Sequence, residues 1–271
     1  MDPYAGLEDS MVFCINTVLE YLRSGRVSGS VIGLNVSGDT SKEFDVVAED
    51  ILTSCISDRL NDVVIVGEER GVRMYGSGRW FAVIDPVDGS SNFDAGIPWS
   101  SISIAIAKRG ADKPCLKDVV LAIVAEIFRD RIYIYKNSSI KILGADISRR
   151  EAPKPILLGY FEVPEAYRPV ERYLAIRGRI TLRSLGSAAL DIVYVGLGNA
   201  EGFIDIRSKL RNVDVAAALK IALTMGAKAY TCDFNDVELI PLDNLVKIRC
   251  IAVGYNDYYL SKLIEAIKTL T

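Results

Sequence analysis

The chain has no histidine among its 271 residues. Every mechanism that needs an imidazole base is therefore excluded, and acid–base work falls to carboxylates, hydroxyls, lysine or metal-bound water. Five cysteines (Cys14, Cys55, Cys115, Cys232 and Cys250) are scattered, with no Cys-x-x-Cys pair. Without histidine, that spacing argues against a zinc site, and the cysteines read as reduced, buried thiols. No apolar run is long enough to span a bilayer, and the N-terminus lacks a basic stretch followed by an apolar core. The expectation is a soluble, cytoplasmic protein with no membrane partner. Positive charge is not in excess either: 32 Lys and Arg against 35 Asp and Glu leave a net charge of −3. That balance argues against nucleic acid as a partner.

Apolar material, in contrast, is plentiful. Half the residues are hydrophobic and 25% are charged, enough for a substantial core and unlike a disordered chain. Apolar spacing predicts helices over 5–23 and 43–60. β-Branched runs predict strands over 31–36, 63–66, 80–84, 101–108, 119–128 and 131–135, the last two forming a hairpin around Arg129-Asp130. Glycine, proline and polar residues interrupt the pattern between Lys136 and Pro155, which divides the chain into an N-terminal half, 1–145, and a C-terminal half, 146–271. Beyond the break come strand 156–160, helix 164–176, strand 180–183, helix 187–197, strand 202–206, helix 213–225, strands 227–232 and 247–253, and helix 257–270. This alternation predicts an α/β layered arrangement.

The chemistry concentrates in residues 84–93, Ile-Asp-Pro-Val-Asp-Gly-Ser-Ser-Asn-Phe. Asp85 and Asp88 flank Pro86, which fixes the backbone so that both carboxylates can converge while the Val87 carbonyl stays free as a third oxygen. Gly89, Ser90 and Ser91 then offer a small-residue turn with free N–H groups, and such groups attract anions. Gly67-Glu68-Glu69 ends the strand over 63–66, Asp214 opens the helix over 213–225, and Asp45 and Glu49 lie one helical turn apart. Each has an ordinary alternative: a solvated loop, an Asp-rich cap, a helix-dipole acid, a solvated helix face. Taken together they change meaning. Two carboxylates at 4 Å repel by about 4 kcal/mol at an effective dielectric of 20, so several in one cleft require cations. An all-oxygen set selects Mg²⁺ or Mn²⁺.

With these residues in place, the chain resembles the inositol monophosphatase superfamily of sugar phosphatases. The resemblance rests on Gly67-Glu68-Glu69, on Asp85 to Phe93, on Asn212-Val213-Asp214-Val215-Ala216-Ala217, on Asp45 to Glu49 and on Arg183 to Asp191, in family order over most of the chain. Val213 stands where the family usually has tryptophan, and Ala217 departs on the glycine side of that pattern. This form, with Phe203 to Arg207 upstream, looks like the archaeal branch, whose members often act on both inositol monophosphate and fructose 1,6-bisphosphate.

The resemblance implies an α+β fold layered αβαβα, a homodimer, and two or three Mg²⁺ ions, with Mn²⁺ as a substitute. It implies that Glu68, Asp85 and the Val87 carbonyl hold a first ion, that Asp85, Asp88 and Asp214 hold a second, and that a looser third lies near Glu68 and Glu69. Gly89, Ser90 and Ser91 are expected to bind phosphate, and Ser90 and Asp45, with Glu68, to activate water in two-metal hydrolysis. The loop over 35–42, with Gly38, Asp39 and Thr40, matches a mobile family loop. Gly186, Ser187 and Ala188 match the sugar-pocket segment; Asp205 is a candidate for a sugar hydroxyl, and Arg183, Arg207 and Arg211 for a second phosphate. The expected partner is a small phosphorylated substrate. The alternatives are a 3′-phosphoadenosine 5′-phosphate phosphatase and, in another class, a regulatory binding protein on the same fold.

Overall fold

Two helices, α1 (Leu7–Arg23) and α2 (Glu43–Leu60), pack on each other, with the hairpin of β1 (Val31–Leu34) and β2 (Thr40–Lys42) between them in sequence. The computed structural model from which this is read describes residues 4–36, 38–110, 113–234 and 236–268. Helix α1 buries Leu7, Met11, Cys14, Ile15, Val18, Leu19 and Leu22, the three-and-four spacing of one helical face. That face lies on a seven-stranded sheet built from β3 (Val63–Gly67), β4 (Gly71–Tyr75), β5 (Trp80–Asp88), β6 (Ser101–Lys108), β7 (Val119–Glu126), β8 (Ile132–Lys136) and β9 (Ser139–Leu143). Its order is β4-β3-β5-β6-β7-β8-β9, antiparallel except for the parallel β3–β5 pair. A five-residue helix, α3 (Ser90–Asp94), follows β5.

The second sheet holds β10 (Ile156–Gly159), β11 (Thr181–Arg183), β12 (Gly202–Asp205), β13 (Lys228–Thr231) and β14 (Ile251–Gly254) in the order β11-β10-β12-β14-β13. Helices α4 (Pro164–Arg177) and α7 (Asp257–Lys268) cover its outer face, while α5 (Ala188–Gly196) and α6 (Asn212–Thr224) lie between the two sheets. The layers run αβαβα, as the resemblance implies. Strand alternation accounts for this division: Val63 and Ile65 enter the core beneath α1 and α2, and Val64 and Val66 enter the core shared with α5 and α6. Strands buried on both faces read as unbroken apolar runs, which is why they were legible. Ala188, Ala189, Ala216, Ala217, Ala218 and Ala222 keep the middle layer thin.

The differences from expectation have simple causes. Strands β4 and β9 are five-residue sheet edges in which apolar and polar residues alternate, Val72 and Met74 around Arg73 and Ile140 and Ile142 around Lys141, so no continuous apolar run marks them. The strand expected at 247–253 begins only at Ile251, because the Asn212 side chain holds the preceding loop through Pro241 O, Asn244 O and Val246 N. The helix expected over 257–270 runs to Lys268; its last two positions lie outside the described residues.

The cysteine expectation is corrected. Cys14 and Cys55 form a disulfide between α1 and α2, and Cys232 and Cys250 form another across the β13–β14 ladder. Only Cys115, among the five, is a buried free thiol. The partners lie 41 and 18 positions apart and meet only through tertiary packing, so no local motif announces them. In the chain-entropy picture, loops of these lengths stabilise the fold by about 4 and about 3 kcal/mol. Among the described residues, no helix is long and apolar enough to cross a membrane.

Candidate active site

The parallel pairing of Gly67 with Ile84 sets the residues that follow them, Glu68 and Asp85, side by side at the ends of β3 and β5. Asp214, in the first turn of α6, comes up beneath them. One carboxylate oxygen from each of Glu68, Asp85 and Asp214 lies within 4.8 Å of the other two. Between Asp85 and Asp88 the β5–β6 register slips, with Asp85 opposite Ser103 and Asp88 opposite Ser101. Pro86, which has no N–H to give to a ladder, sits in that bulge. The Val87 N–H turns back to donate to Asp85 Oδ1 at 3.0 Å.

Asp88 is placed differently from the other three acids. Both its oxygens face the N-terminus of α5, accepting from Ala188 N at 3.1 Å, Ala189 N at 2.8 Å and the Ser187 hydroxyl, with Ser101 Oγ at 3.4 Å. A negative charge at a helix N-terminus is favourable, and here it ties the motif to the segment 186–188. Asn92 makes a second tie, donating to Trp99 O at 2.8 Å and Leu185 O at 2.6 Å. Gly89 lies between them with φ 86°, and an added Cβ would meet Gly186 O at 2.8 Å. A side chain there would push the two segments apart.

Glu49 organises the other edge. Its carboxylate accepts from Glu69 N at 2.7 Å and Arg70 N at 2.9 Å, clamping the turn that presents Glu68. Gly67 is required for this, since a Cβ there would meet the Glu49 carboxylate at 2.5 Å. Ser41 donates to Glu69, and Asn35 Nδ2 to Glu68 Oε1 at 3.4 Å. Arg211 donates to Glu68 Oε1 at 2.9 Å through Nη1 and to Asp39 through Nη2. The turn over 35–40 is closed by Asn35 N to Asp39 O at 2.8 Å, Gly38 N to Asn35 O at 3.0 Å and Asp39 N to Asn35 Oδ1 at 3.0 Å; Ser37 lies outside the described residues.

Burial and like charge dominate the electrostatics. Burial, then the charges of Glu69 and Glu68, pushes Asp45 up to about 8. Burial pushes Glu68 up to about 7, opposed by Arg211 and aided by Glu69, Asp39 and Asp88. Asp88 rises only to about 6, because the α5 hydrogen bonds offset its burial. Asp85 and Asp214 are driven well above the ordinary carboxylate range, by burial first and then by neighbouring acids. A cluster of this kind, all oxygen and short of positive charge, fits divalent cations that favour hard donors. A cavity of about 250 Å³ opens over it, lined by Asp39, Thr40, Asp45, Glu68, Glu69, Asp85, Val87, Ser90 and Ser91 among others. A larger groove of about 880 Å³ beside Phe13, Val47 and Ile51 has no such convergence of acids.

The remaining candidates separate. Asp205 and Arg207 saturate each other, with Arg207 Nε and Nη2 donating at 3.1 and 2.9 Å, Arg207 also pairing with Glu162 and lying 3.6 Å over the Tyr160 ring. Arg183 is exposed on β11 and donates to Leu182 O. The structure thus brings together the acids, Ser90, Ser91 and the 38–40 turn, and it commits Asp205 and Arg207 to each other. Glu49 was noted in the sequence without its clamp, and Asn92, quoted within the 84–93 stretch, was given no role; the Asx-type donors of a turn carry no periodic signal.

The model of the inositol monophosphatase family matches residues 14–269. The chain belongs to the inositol monophosphatase family. Among its relatives, a fructose-1,6-bisphosphatase of Pyrococcus furiosus is 31% identical over 216 residues, 78% of each chain. A fructose-1,6-bisphosphatase/inositol-1-monophosphatase of Thermococcus kodakarensis is 31% identical over 243 residues, 89% of this chain and 88% of the relative. A crystal structure of an inositol monophosphatase–fructose 1,6 bisphosphatase superposes with a TM-score of 0.77 at 26% identity, covering 98% of this chain and 100% of the other. In this inositol monophosphatase family member, the departures at Val213 and Ala217 are absorbed by packing: both are buried at 1% exposure in the core between the sheets. Asp214, between them in sequence, meets Glu68 and Asp85.

Proposed function

We propose that the chain is a Mg²⁺-dependent phosphomonoesterase that hydrolyses inositol 1-phosphate, fructose 1,6-bisphosphate or both. The observation that carries this reading is the convergence of Glu68, Asp85 and Asp214, with Glu68 and Asp85 lining one cavity together with Ser90 and Ser91. Glu68, Asp85, the Val87 carbonyl, Asp88 and Asp214 would hold two ions, with Asp85 shared and Glu69 near a third. When bound, such ions supply positive charge to a phosphate ester and make water a stronger acid, and Mn²⁺ can serve similarly.

The chain's own groups do the rest. N–H groups at Gly89, Ser90 and Ser91 orient the phosphate, since the first turn of a helix leaves its donors free. Asp45 in the cavity wall accepts the proton of the attacking water, and the Ser90 hydroxyl orients that water. The 186–188 edge, with Ser187 and Ala188, receives the sugar, and the Gly38–Thr40 turn closes over the cavity. In this reading the halves 1–145 and 146–271 divide the work, the first supplying most acids and the second Asp214 and the sugar edge.

A panel of inositol 1-phosphate, fructose 1,6-bisphosphate and 3′-phosphoadenosine 5′-phosphate, run with Mg²⁺ and then Mn²⁺, tests the reading. Release of phosphate from one of the first two is expected. Activity left unchanged by Asp88→Asn or Asp214→Asn would overturn the assigned roles, and a strong preference for the nucleotide would overturn the substrate. A cytoplasmic homodimer completes the proposal, and sedimentation equilibrium reads its second part. The two disulfides are compatible with that location, since intracellular proteins of hyperthermophiles commonly carry them.

A further inference from the structure

Among the described residues that line the acidic cavity, Lys42 alone carries positive charge, against Asp39, Asp45, Glu68, Glu69 and Asp85. Lys42 ends β2 and stands at the N-cap of α2, with the extended backbone (φ −102°, ψ 153°) that lets the chain enter the helix. Its backbone N–H goes to the carboxylate of Asp45, three residues on, as an acid in the first helical turn can reach back to the cap. Its ammonium goes elsewhere. Lys42 Nζ donates to Asp94 Oδ2 at 3.0 Å, and Asp94 is the last residue of α3, four places after Ser90. One residue thus holds Asp45 by its backbone and α3 by its side chain.

Two further contacts make the join specific. The Phe44 and Phe93 rings meet edge to face with centroids 4.8 Å apart, two positions after Lys42 and one before Asp94. Behind Asp94 runs the segment 28–30, whose Ser28 O and Ser30 O accept from Phe44 N at 3.1 Å and Glu43 N at 2.9 Å. Asp94 fits against it because residue 29 is glycine; a Cβ there would overlap the Asp94 carboxylate. The Lys42 and Asp94 side chains are 17% and 44% exposed, and ion pairs so open to water add little to stability. Their effect on geometry is of another order. Asp45 and the Ser90–Ser91 turn sit on different elements, and a reacting group misplaced by about 1 Å can cost about a hundredfold in rate.

We propose that Lys42 and Asp94 are positioning residues, a pair that fixes the proton acceptor Asp45 against the Ser90–Ser91 phosphate turn. The inference deepens the phosphomonoesterase reading and rests on it for those two roles. Lys42 and Asp94 act through α2 and α3, and neither is a ligand of the phosphate.

The test compares Lys42→Met, Asp94→Asn and their double variant with wild type, on inositol 1-phosphate and fructose 1,6-bisphosphate at saturating Mg²⁺. Each single variant is expected to lower kcat by about tenfold with KM little changed. The double variant should fall no further, because the two residues act as a unit. Lys42→Arg should keep most of the rate. Gly29→Ala, which alters no charge, should reproduce the loss by pushing Asp94 aside. A second measurement needs no activity: in the metal-free protein, hydrogen exchange at Asn92 and Phe93, whose amides donate to Gly89 O at 2.9 and 3.0 Å, should quicken in these variants while the melting temperature holds. A KM that rises for Lys42→Met alone would make Lys42 a phosphate ligand and overturn the pair. An active wild type whose kcat is unmoved by Asp94→Asn overturns it as well. A wild type inactive on every ester, with exchange in α3 still quickened by the variants, sinks the phosphatase reading instead and reduces the pair to a structural tie.

Discussion

Glu126, Glu201 and Asp205 are as deeply buried as Asp85, between 1% and 3% exposed in all four. The first three arrive with partners. Tyr133 OH donates to Glu126 at 2.6 Å beside Arg129; Tyr173 OH and Arg177 donate to Glu201 at 2.8 to 3.0 Å; Arg207 grips Asp205 with a fork. Asp85 faces Glu68 and Asp214 instead, with the Val87 N–H as its one protein donor in the set. Burying an ion costs several kcal/mol unless its partners are good. One class of acid therefore holds the fold together, and the other is kept short of positive charge so that something from outside can supply it.

The largest expected effect sharpens that contrast. Asp85→Asn should lower kcat with Mg²⁺ by more than about a hundredfold, beyond the usual cost of losing a supporting group. In metal-free buffer the same variant should melt higher than wild type, because repulsion is relieved; a lower melting temperature would move Asp85 into the paired class. Next comes Arg177→Ala, which leaves the buried Glu201 charge without its cation and with only the Tyr173 hydroxyl against it. It should destabilise the fold by about 3–5 kcal/mol in urea titrations, with kcat close to wild type, and a large kcat loss would break the division.

The third prediction concerns pH. In the metal-free protein Asp45, Glu68 and Asp88 sit at about 8, about 7 and about 6, above the range of an unfolded carboxylate. The folded state then holds protons that the unfolded chain has released. The contribution of these three acids to stability is fullest below about pH 4 and is lost as pH rises through about 6 to 8. Thermal melts in EDTA across that range should show the decline, and saturating Mg²⁺ should flatten it. A metal-free stability that rises over this window would contradict the placing of these acids. The smallest effect is expected at Glu49→Gln, which loosens the Glu69–Arg70 clamp: calorimetry should show metal binding weakened by about tenfold, with the melting temperature little changed.

Much of this contrast was visible in the sequence, and unevenly. Asp85, Asp88 and Asp214 were legible because a bulge at Pro86 and a helix start leave local marks. Helix α2 was read to its ends, Glu43 and Leu60, but its face was not: Ala48, Leu52 and Ile56 are buried with Phe44, while Val47, Ile51 and Cys55 stay half-buried along a groove. The partners were not legible. That Arg211 meets Glu68 rather than an open pocket, that Arg207 is consumed by Asp205, and that Cys14 finds Cys55 all depend on which layers come together. Edge strands escaped notice for a related reason: with one face in water, β4 and β9 carry no apolar run to read.

The acids that converge come from just after β3, from β5 and from α6, and Glu68 is separated from its contact Arg211 by 143 positions. Closing so long a loop adds little to the thermodynamic cost, about 0.6 kcal/mol for each doubling of length. Its consequence lies in time. A growing chain displays Glu68 and Asp85 well before Asp214 exists, and contacts of such long range form late and slowly. The ligand set is complete only when α6 has docked between the sheets. On the proposed reading, metal capture would mark the joining of the two sheets, not the folding of either.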